Sequence, residues 1–335
     1  MKIALLTFSE RGRALGERLA AGREGWELYG RSLGRPVGRE DFGKLWGRYD
    51  GFLFIGSVGI TVRYIAPHLQ GKDRDPAVCT VNDSGEFVIS VLSGHLGGAN
   101  ELAREIAQSI GAVPVITTAS ESRGFQSLDL FARAQGYAIE RLSELTAVAT
   151  AMVDGKPVAF YSELPATPDY PQLKRVSSME EALEWDYSIV VSSRISQRGA
   201  HASAHLKPKN LHLGLGARKD APFPELSALL EETLLEADLS ILSIKDMASI
   251  DVKKEEGALL ALSQKYQLPF YTFPPEELAP LEDGLEVSEF VRKTVGVGSV
   301  SGTSALKLGG ELIVEKAARG GFTLSITREA EAPLE

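Results

Sequence analysis

The sequence predicts a multidomain, layered α/β protein with mostly parallel or mixed sheets. Three observations carry that prediction. Short apolar runs alternate with amphipathic stretches through the first half, and a similar alternation starts afresh in the last third. The length of 335 residues also exceeds what one ordinary core holds.

In chain order, Lys2 to Phe8 is a short apolar run of buried-strand type, and Arg11 to Ala21 has helical spacing through Leu15 and Leu19. Gly51 to Ile55 reads as a second buried strand, ending at Gly56-Ser57-Val58-Gly59. Ala77 to Val81 and Glu86 to Val91 flank Asn82-Asp83-Ser84-Gly85. Those residue types tolerate positive φ, so a hairpin is expected. Ala99 to Ile110 places Leu102, Ala103, Ile106 and Ile110 on one helix face, with Gly111 as C-cap and Val113 to Thr117 as the next strand. These elements define a first domain over 1–124.

A smaller α/β domain is expected over 125–192. It has helices near Leu128–Gln135 and Leu142–Val153, strands at Pro157–Tyr161 and Tyr187–Val191, and irregular chain at Pro165–Pro171. Residues 193–209 are polar and basic and read as a linker or a mobile loop over a site. The last domain, 210–330, opens on the strand Leu211–Leu215. Helices follow at Pro224–Ala237, Glu255–Gln267 and Ser288–Val295, with a strand at Pro269–Phe273 and a closing hairpin, Glu311–Val314 with Phe322–Thr327.

Composition narrows the function classes. Hydrophobic residues make up 44% and charged residues 24%, the balance of packed globular protein. The net charge of −9 argues against general nucleic-acid binding, although local arginines can still hold an anionic small molecule. The single cysteine, Cys79, excludes an internal disulfide and suits a reducing cytosol. The N-terminus lacks the pattern of a signal peptide, and no stretch approaches the roughly 20 apolar residues that span a bilayer. A cytoplasmic protein with no membrane partner is expected.

Three glycine loops follow predicted strands: Gly56-Ser57-Val58-Gly59, Ser93 to Gly98, and Gly214-Leu215-Gly216. Strand–glycine–helix junctions leave amide N–H groups open to anions. Arg63 follows the first loop; Arg218 and Lys219 follow the third. None matches G-x-G-x-x-G or the phosphate loop, so a nucleotide is disfavoured. His95, in Ser93-Gly94-His95-Leu96-Gly97-Gly98-Ala99-Asn100, sits before a helix whose dipole disfavours the imidazolium, which suits a general base. It can equally cap the helix start. Asn100 and Glu101 are candidates to orient His95 or bind substrate, or a first-turn pair serving the helix dipole. His201 and His205 have i, i+4 spacing without the glutamate of H-E-x-x-H, so no metal site is expected. Cys79 reads as packing. Ala248 to Glu255 ends a strand-like run and leads into a helix; Asp251 and Lys253 can face a site at that strand's C-terminal edge, or the segment can cap the helix.

The stretch Gly59 to Glu121, from GITVRYIAPHLQGKDRDPAV through VISVLSGHLGGANELAREIAQSIGAVPVITTASE, resembles the cobalt-precorrin-5A hydrolases of anaerobic cobalamin biosynthesis. LHLGLGARKD, ASIDVKKEEGALLALSQKYQLPF, SEFVRKTVGVGSV and the closing ELIVEK with FTLSITR extend the resemblance through the last third. Ala217 stands where members often carry a cysteine, and Ala318 replaces a second basic residue after Lys316. The resemblance implies a ring-contracted, cobalt-containing tetrapyrrole substrate bearing a δ-lactone and peripheral carboxylates. It implies opening of the lactone by water and release of acetaldehyde, without an organic cofactor, and other pathway enzymes as partners. His95 would then be the base and the Gly97–Ala99 amides the oxyanion donors. Glu101 or Asp251 would carry a second proton. Ser57, Gly59, Arg63, Ser93, Gly94, Gly97, Gly98, Asn100, Gly216, Arg218, Ser249 and Lys253 would bind substrate. The rival reading is a non-catalytic corrinoid-binding or carrier protein.

Overall fold

The apolar runs become central strands because they can be covered on both faces. Ile3–Thr7 (β1) and Gly51–Ile55 (β3) are buried at every position. The computed structural model describes residues 1–71, 74–95, 97–118 and 125–329. Leu96 of the glycine-rich loop and the last residues of the matched stretch, 119–121, lie outside them. The chain divides into two compact units, Met1–Arg133 and Ala134–Glu335.

The first unit holds one six-stranded sheet in the order β2-β1-β3-β4-β5-β6, with β2 at Trp26–Tyr29, β4 at Ala77–Val81, β5 at Phe87–Leu92 and β6 at Val113–Val115. The strands β2, β1, β3 and β4 run parallel; the Asn82–Gly85 turn reverses the chain, so β5 and β6 run the other way. The helices Glu10–Ala20 and Ala99–Ile110 cover one face through Leu15, Leu19, Leu102 and Ile106. Arg39–Trp46 and Val58–Ile65 cover the other, where Phe42 meets Phe52 edge-on at 4.9 Å. Gly111 ends the Ala99–Ile110 helix at φ 72°, as a left-handed C-cap requires.

The second unit holds two five-stranded sheets. The first has the order β7-β11-β10-β8-β9, formed by Ala138–Ile139 (β7), Val158–Ser162 (β8), Leu173–Arg175 (β9), Tyr187–Val191 (β10) and Ala202–Lys207 (β11). All but the edge strand β7 run parallel. The second has the order β14-β13-β12-β16-β15, with β12 at Leu211–Ala217, β13 at Ile244–Ile250, β14 at Phe270–Phe273, β15 at Glu311–Arg319 and β16 at Phe322–Arg328. Here β12, β13 and β14 are parallel, and β16 and β15 close the sheet antiparallel. Leu226, Leu230, Leu259 and Leu262 of the helices Phe223–Glu236 and Gly257–Tyr266 bury one face.

Two expectations are corrected. The 193–209 stretch is not a linker or a mobile loop. Its second half is the strand β11, buried along its whole length, and its first half is fastened by hydrogen bonds. Ile195 N–H donates to Asp238 O, Ser240 N–H donates to Ser193 O, and Arg194 Nε donates to Asp238 Oδ2 at 2.6 Å. Glu163 accepts from the Ser192 hydroxyl and the Ser193 amide, and the buried Lys207 ammonium donates to Arg194 O beside Glu140. Ser193, Ser203, His205 and Lys207 are buried with partners, while Gln197, Arg198, His201 and Lys209 are exposed. Second, Gly214-Leu215-Gly216 is not a loop before a helix. Both glycines are inside β12, because a Cβ at Gly214 would collide with Ser301 O and one at Gly216 with the Thr323 hydroxyl. The helix Val300–Leu308, unanticipated from sequence, lies directly on Gly214.

Candidate functional site

In the first unit β5 is antiparallel to β4, so the loop after β5 emerges at the edge where β1, β3 and β4 begin. Leu92 pairs with Val78 there, whereas Ile55 pairs with Val81 at the opposite edge. The loop Ser93–Asn100 and the loop Gly56–Gly59 are therefore on opposite edges, separated by strands of five residues, about 16 Å. Ser57, Gly59 and Arg63 thus belong to one edge of the sheet and the His95 loop to the other. Arg63 folds back along its own helix and donates to Gly59 O at 3.1 Å.

The glycines of the Ser93–Asn100 loop are consumed by its own construction. A Cβ at Gly94 would meet Asn100 Oδ1 at 2.7 Å, and one at Gly97 would overlap the Ser93 side chain. Gly98 has φ 83°, and Ser93 adopts φ 55°, a left-handed conformation a serine rarely accepts. Asn100 is 2% exposed. It accepts from the Ser90 hydroxyl at 2.7 Å and donates to the Thr118 hydroxyl at 3.2 Å, pinning the loop to its sheet. The Gly98, Ala99 and Asn100 amides donate to His95 O, Ser93 O and Gly94 O. Two of the three amides expected to serve an oxyanion are thus already paired, and Asn100 holds the loop instead of facing a ligand. Glu101 is exposed in the first helical turn, where its charge complements the dipole.

The His95 ring is half-buried, with Nδ1 3.3 Å from the Ser127 hydroxyl. Ser127 precedes the helix Leu128–Ala134 and escaped sequence reasoning, since nothing in its spacing from His95 marks it. Beside the loop, Gly97 lines a cleft of about 540 Å³ with Met1, Trp46, Tyr49, Asp50, Arg74 and Arg133. Cys79 is buried and its thiol is pushed up to about 12 by burial, as a packing role requires.

The second unit carries a larger cleft, about 1210 Å³, over the C-terminal ends of β12 and β13. Gly216, Arg218 and Lys253 line it, and so do Lys219, Lys316, Arg319, Glu256 and Phe290. Lys253 and Glu256 form a 3.0 Å ion pair with little exposure, an i, i+3 spacing legible in the sequence but not singled out. Lys316 pairs with Glu286 at 2.9 Å, and Arg319 pairs with Glu225 and Glu232. Arg218 and Lys219 make no ion pair among the described residues. Phe290 is 79% exposed and offers an apolar surface among these cations. Two residues expected here do not reach the cleft. Ser249 is fully buried and donates to Leu215 O at 2.7 Å; Asp251 accepts from the Val252 amide at 2.7 Å.

At the other end of β12, His212 is buried and Nδ1 lies 2.5 Å from Asp246 Oδ1, while Nε2 is 3.0 Å from Glu329. Burial pulls the imidazole down, but Asp246 and Glu329 outweigh it and leave its pKa raised. His205 Nε2 donates to Gln197 O at 2.9 Å, and burial lowers the ring's pKa. Because Ala202–Lys207 is extended, His201 and His205 are not on one helix turn, and the spacing cannot chelate one ion. Among the described residues no group of three or more His, Cys, Asp or Glu side chains is arranged to hold a metal, and no helix is long and apolar enough to cross a membrane.

Three family models match in succession: cobalamin synthesis G N-terminal over 40–121, cobalamin biosynthesis central region over 126–208, and cobalamin synthesis G C-terminus over 211–327. The chain is 38% identical over 290 residues to the cobalt-precorrin-5A hydrolase of Salmonella typhimurium, covering 83% of this chain and 82% of that one. It is 35% identical over 295 residues to the cobalt-precorrin-5A hydrolase of Priestia megaterium, covering 83% and 78%. A solved cobalamin biosynthesis protein G homolog from Sulfolobus solfataricus aligns over 98% of this chain and 97% of its own, at 21% identity and a TM-score of 0.39.

Proposed function

The chain belongs to the cobalt-precorrin-5A hydrolase family, and from that premise we propose that it opens the δ-lactone of cobalt-precorrin-5A with water and releases acetaldehyde. The observation that carries the reading is the continuous match to hydrolases of that name across more than four-fifths of the chain. The cationic, aromatic-bearing cleft of the second unit supports it.

The reaction has two steps. Water adds to the lactone carbonyl, the acyl–oxygen bond breaks, and a carboxylate and a two-carbon carbinol result. The carbinol then loses its proton, its oxygen forms the aldehyde carbonyl, and the bond to the ring carbon breaks. That electron pair enters the conjugated macrocycle, so the substrate is its own electron sink and no organic cofactor is needed. Overall, one water is consumed and one acetaldehyde leaves.

His95 takes the proton from water, being a half-buried imidazole held at the glycine-rich loop. The Gly97 amide, which makes no hydrogen bond among the described residues and lines the smaller cleft, is the oxyanion donor. Taken by itself, the cleft of the second unit offers Arg218 and Lys219 to the peripheral carboxylates of a corrinoid and Phe290 to its ring face. A cytoplasmic setting agrees with the single buried thiol.

Single-turnover assays with the lactone test these roles. His95→Ala and His95→Asn are expected to lower acetaldehyde release at least 100-fold while corrinoid binding persists. Release within a few-fold of the parent would remove His95 from the chemistry.

A further inference from the structure

We infer that Ser127 is the positioning residue for His95, accepting the Nδ1 proton and so fixing the ring's tautomer; this rests on the reading of His95 as the base. The Ser127 carbonyl accepts from the Phe131 amide at 3.0 Å, so Ser127 stands at the N-cap of the helix Leu128–Ala134. A serine there usually spends its hydroxyl on an amide two or three residues on. Here the Leu130 amide is satisfied by Asp129 Oδ1 at 3.0 Å, and the Ser127 hydroxyl is 3.3 Å from His95 Nδ1 instead. Ser127 is 8% exposed and its neighbours Leu128 and Phe131 are buried, so packing fixes the hydroxyl. The contact also ties the glycine-rich loop to an element some thirty residues further along the chain.

The chemistry suits a base. Proton uptake at Nε2 requires the neutral ring to carry its proton on Nδ1, and therefore an acceptor at Nδ1. A hydroxyl oxygen accepts that N–H both before and after Nε2 is protonated. The 3.3 Å separation is at the long end of such bonds, as catalytic contacts often are before substrate binds.

The test uses the full chain with Ser127→Ala, Ser127→Gly and Ser127→Thr. Glycine is a good N-cap and removes the hydroxyl while sparing the helix start; threonine retains the hydroxyl. Nitrogen-15 NMR of histidine-labelled protein, with His95 assigned through His95→Asn, reads the tautomer directly. The parent is expected to hold the proton on Nδ1, and Ala and Gly variants to lose that preference. In turnover, kcat is expected to fall about tenfold to 100-fold with KM little changed, and threonine to restore most of it. An unchanged tautomer together with kcat within twofold in Ser127→Gly would overturn the inference. If His95→Ala keeps its activity, the base assignment fails on its own account, and the tautomer measurement still decides what Ser127 does.

Discussion

Gly97 sits where no side chain fits: its missing Cβ would overlap Ser93, with the Ala77 amide 3.3 Å away. Gly97→Ala is therefore expected to cost about 1–3 kcal/mol and to displace the loop, lowering turnover more than a surface substitution would; denaturant midpoints and kcat together check it. Arg218 gives the complementary case, a cation beside the larger cleft with no ion pair among the described residues. Arg218→Ala should raise KM several-fold and leave kcat nearly unchanged, because a carboxylate contact is shared by ground and transition states. Cys79 should resist thiol reagents in the native protein and react only on unfolding, since burial holds its thiol protonated. Cys79 was legible as packing because its neighbours are apolar. His95 was legible as conspicuous, but not its partner: the Ser127 contact depends on where a second element ends, which no local pattern encodes. The Gly98 and Ala99 amides were misread as oxyanion donors because helix-start N–H groups attract anions in general, whereas this loop supplies its own carbonyls to those two.

Among elements, β12 joins two different requirements. At Gly214 it lets the helix Val300–Leu308 approach its backbone, and at His212 it pairs with Asp246 of β13. The folded His212 pKa is raised, so its stabilisation is complete below the unfolded value of about 6.5 and is lost as pH climbs through the folded value. The Glu329 carboxylate behaves oppositely. Burial raises its pKa, but Lys245 and His212 outweigh this and hold it low, so its contribution is present above the ordinary value and lost on acidification. Hydrogen-exchange protection of β12 amides should therefore peak between these limits and decline toward alkaline pH. Asp246→Asn should flatten the alkaline decline and cost about 3 kcal/mol. Strands and helices with strong periodicity, such as Ala99–Ile110 and Leu142–Val153, were readable residue by residue. The strand β11 was not, because Ser203, His205 and Lys207 look solvated until Ser188, Gln197, Arg194 and Glu140 are seen to satisfy them. The helix Val300–Leu308 was hidden by its serines and glycine, which are small so that it can lie on β12.

At the scale of the molecule, three sheets built largely on parallel strands account for the α/β character expected from alternation, and the family accounts for the chemistry. Sequence pattern could place glycine loops after strands but not say which edge of a sheet they reach. The antiparallel turn of β5 decides that, sending the His95 loop and the Ser57 loop to opposite edges. The most direct measurement is incubation of the purified full chain with cobalt-precorrin-5A in ¹⁸O-labelled water, following acetaldehyde and the mass of the corrinoid product. One acetaldehyde per corrinoid and one ¹⁸O atom in the freed side-chain carboxylate are expected. Tight corrinoid binding without acetaldehyde would contradict the account and identify a carrier instead of a hydrolase.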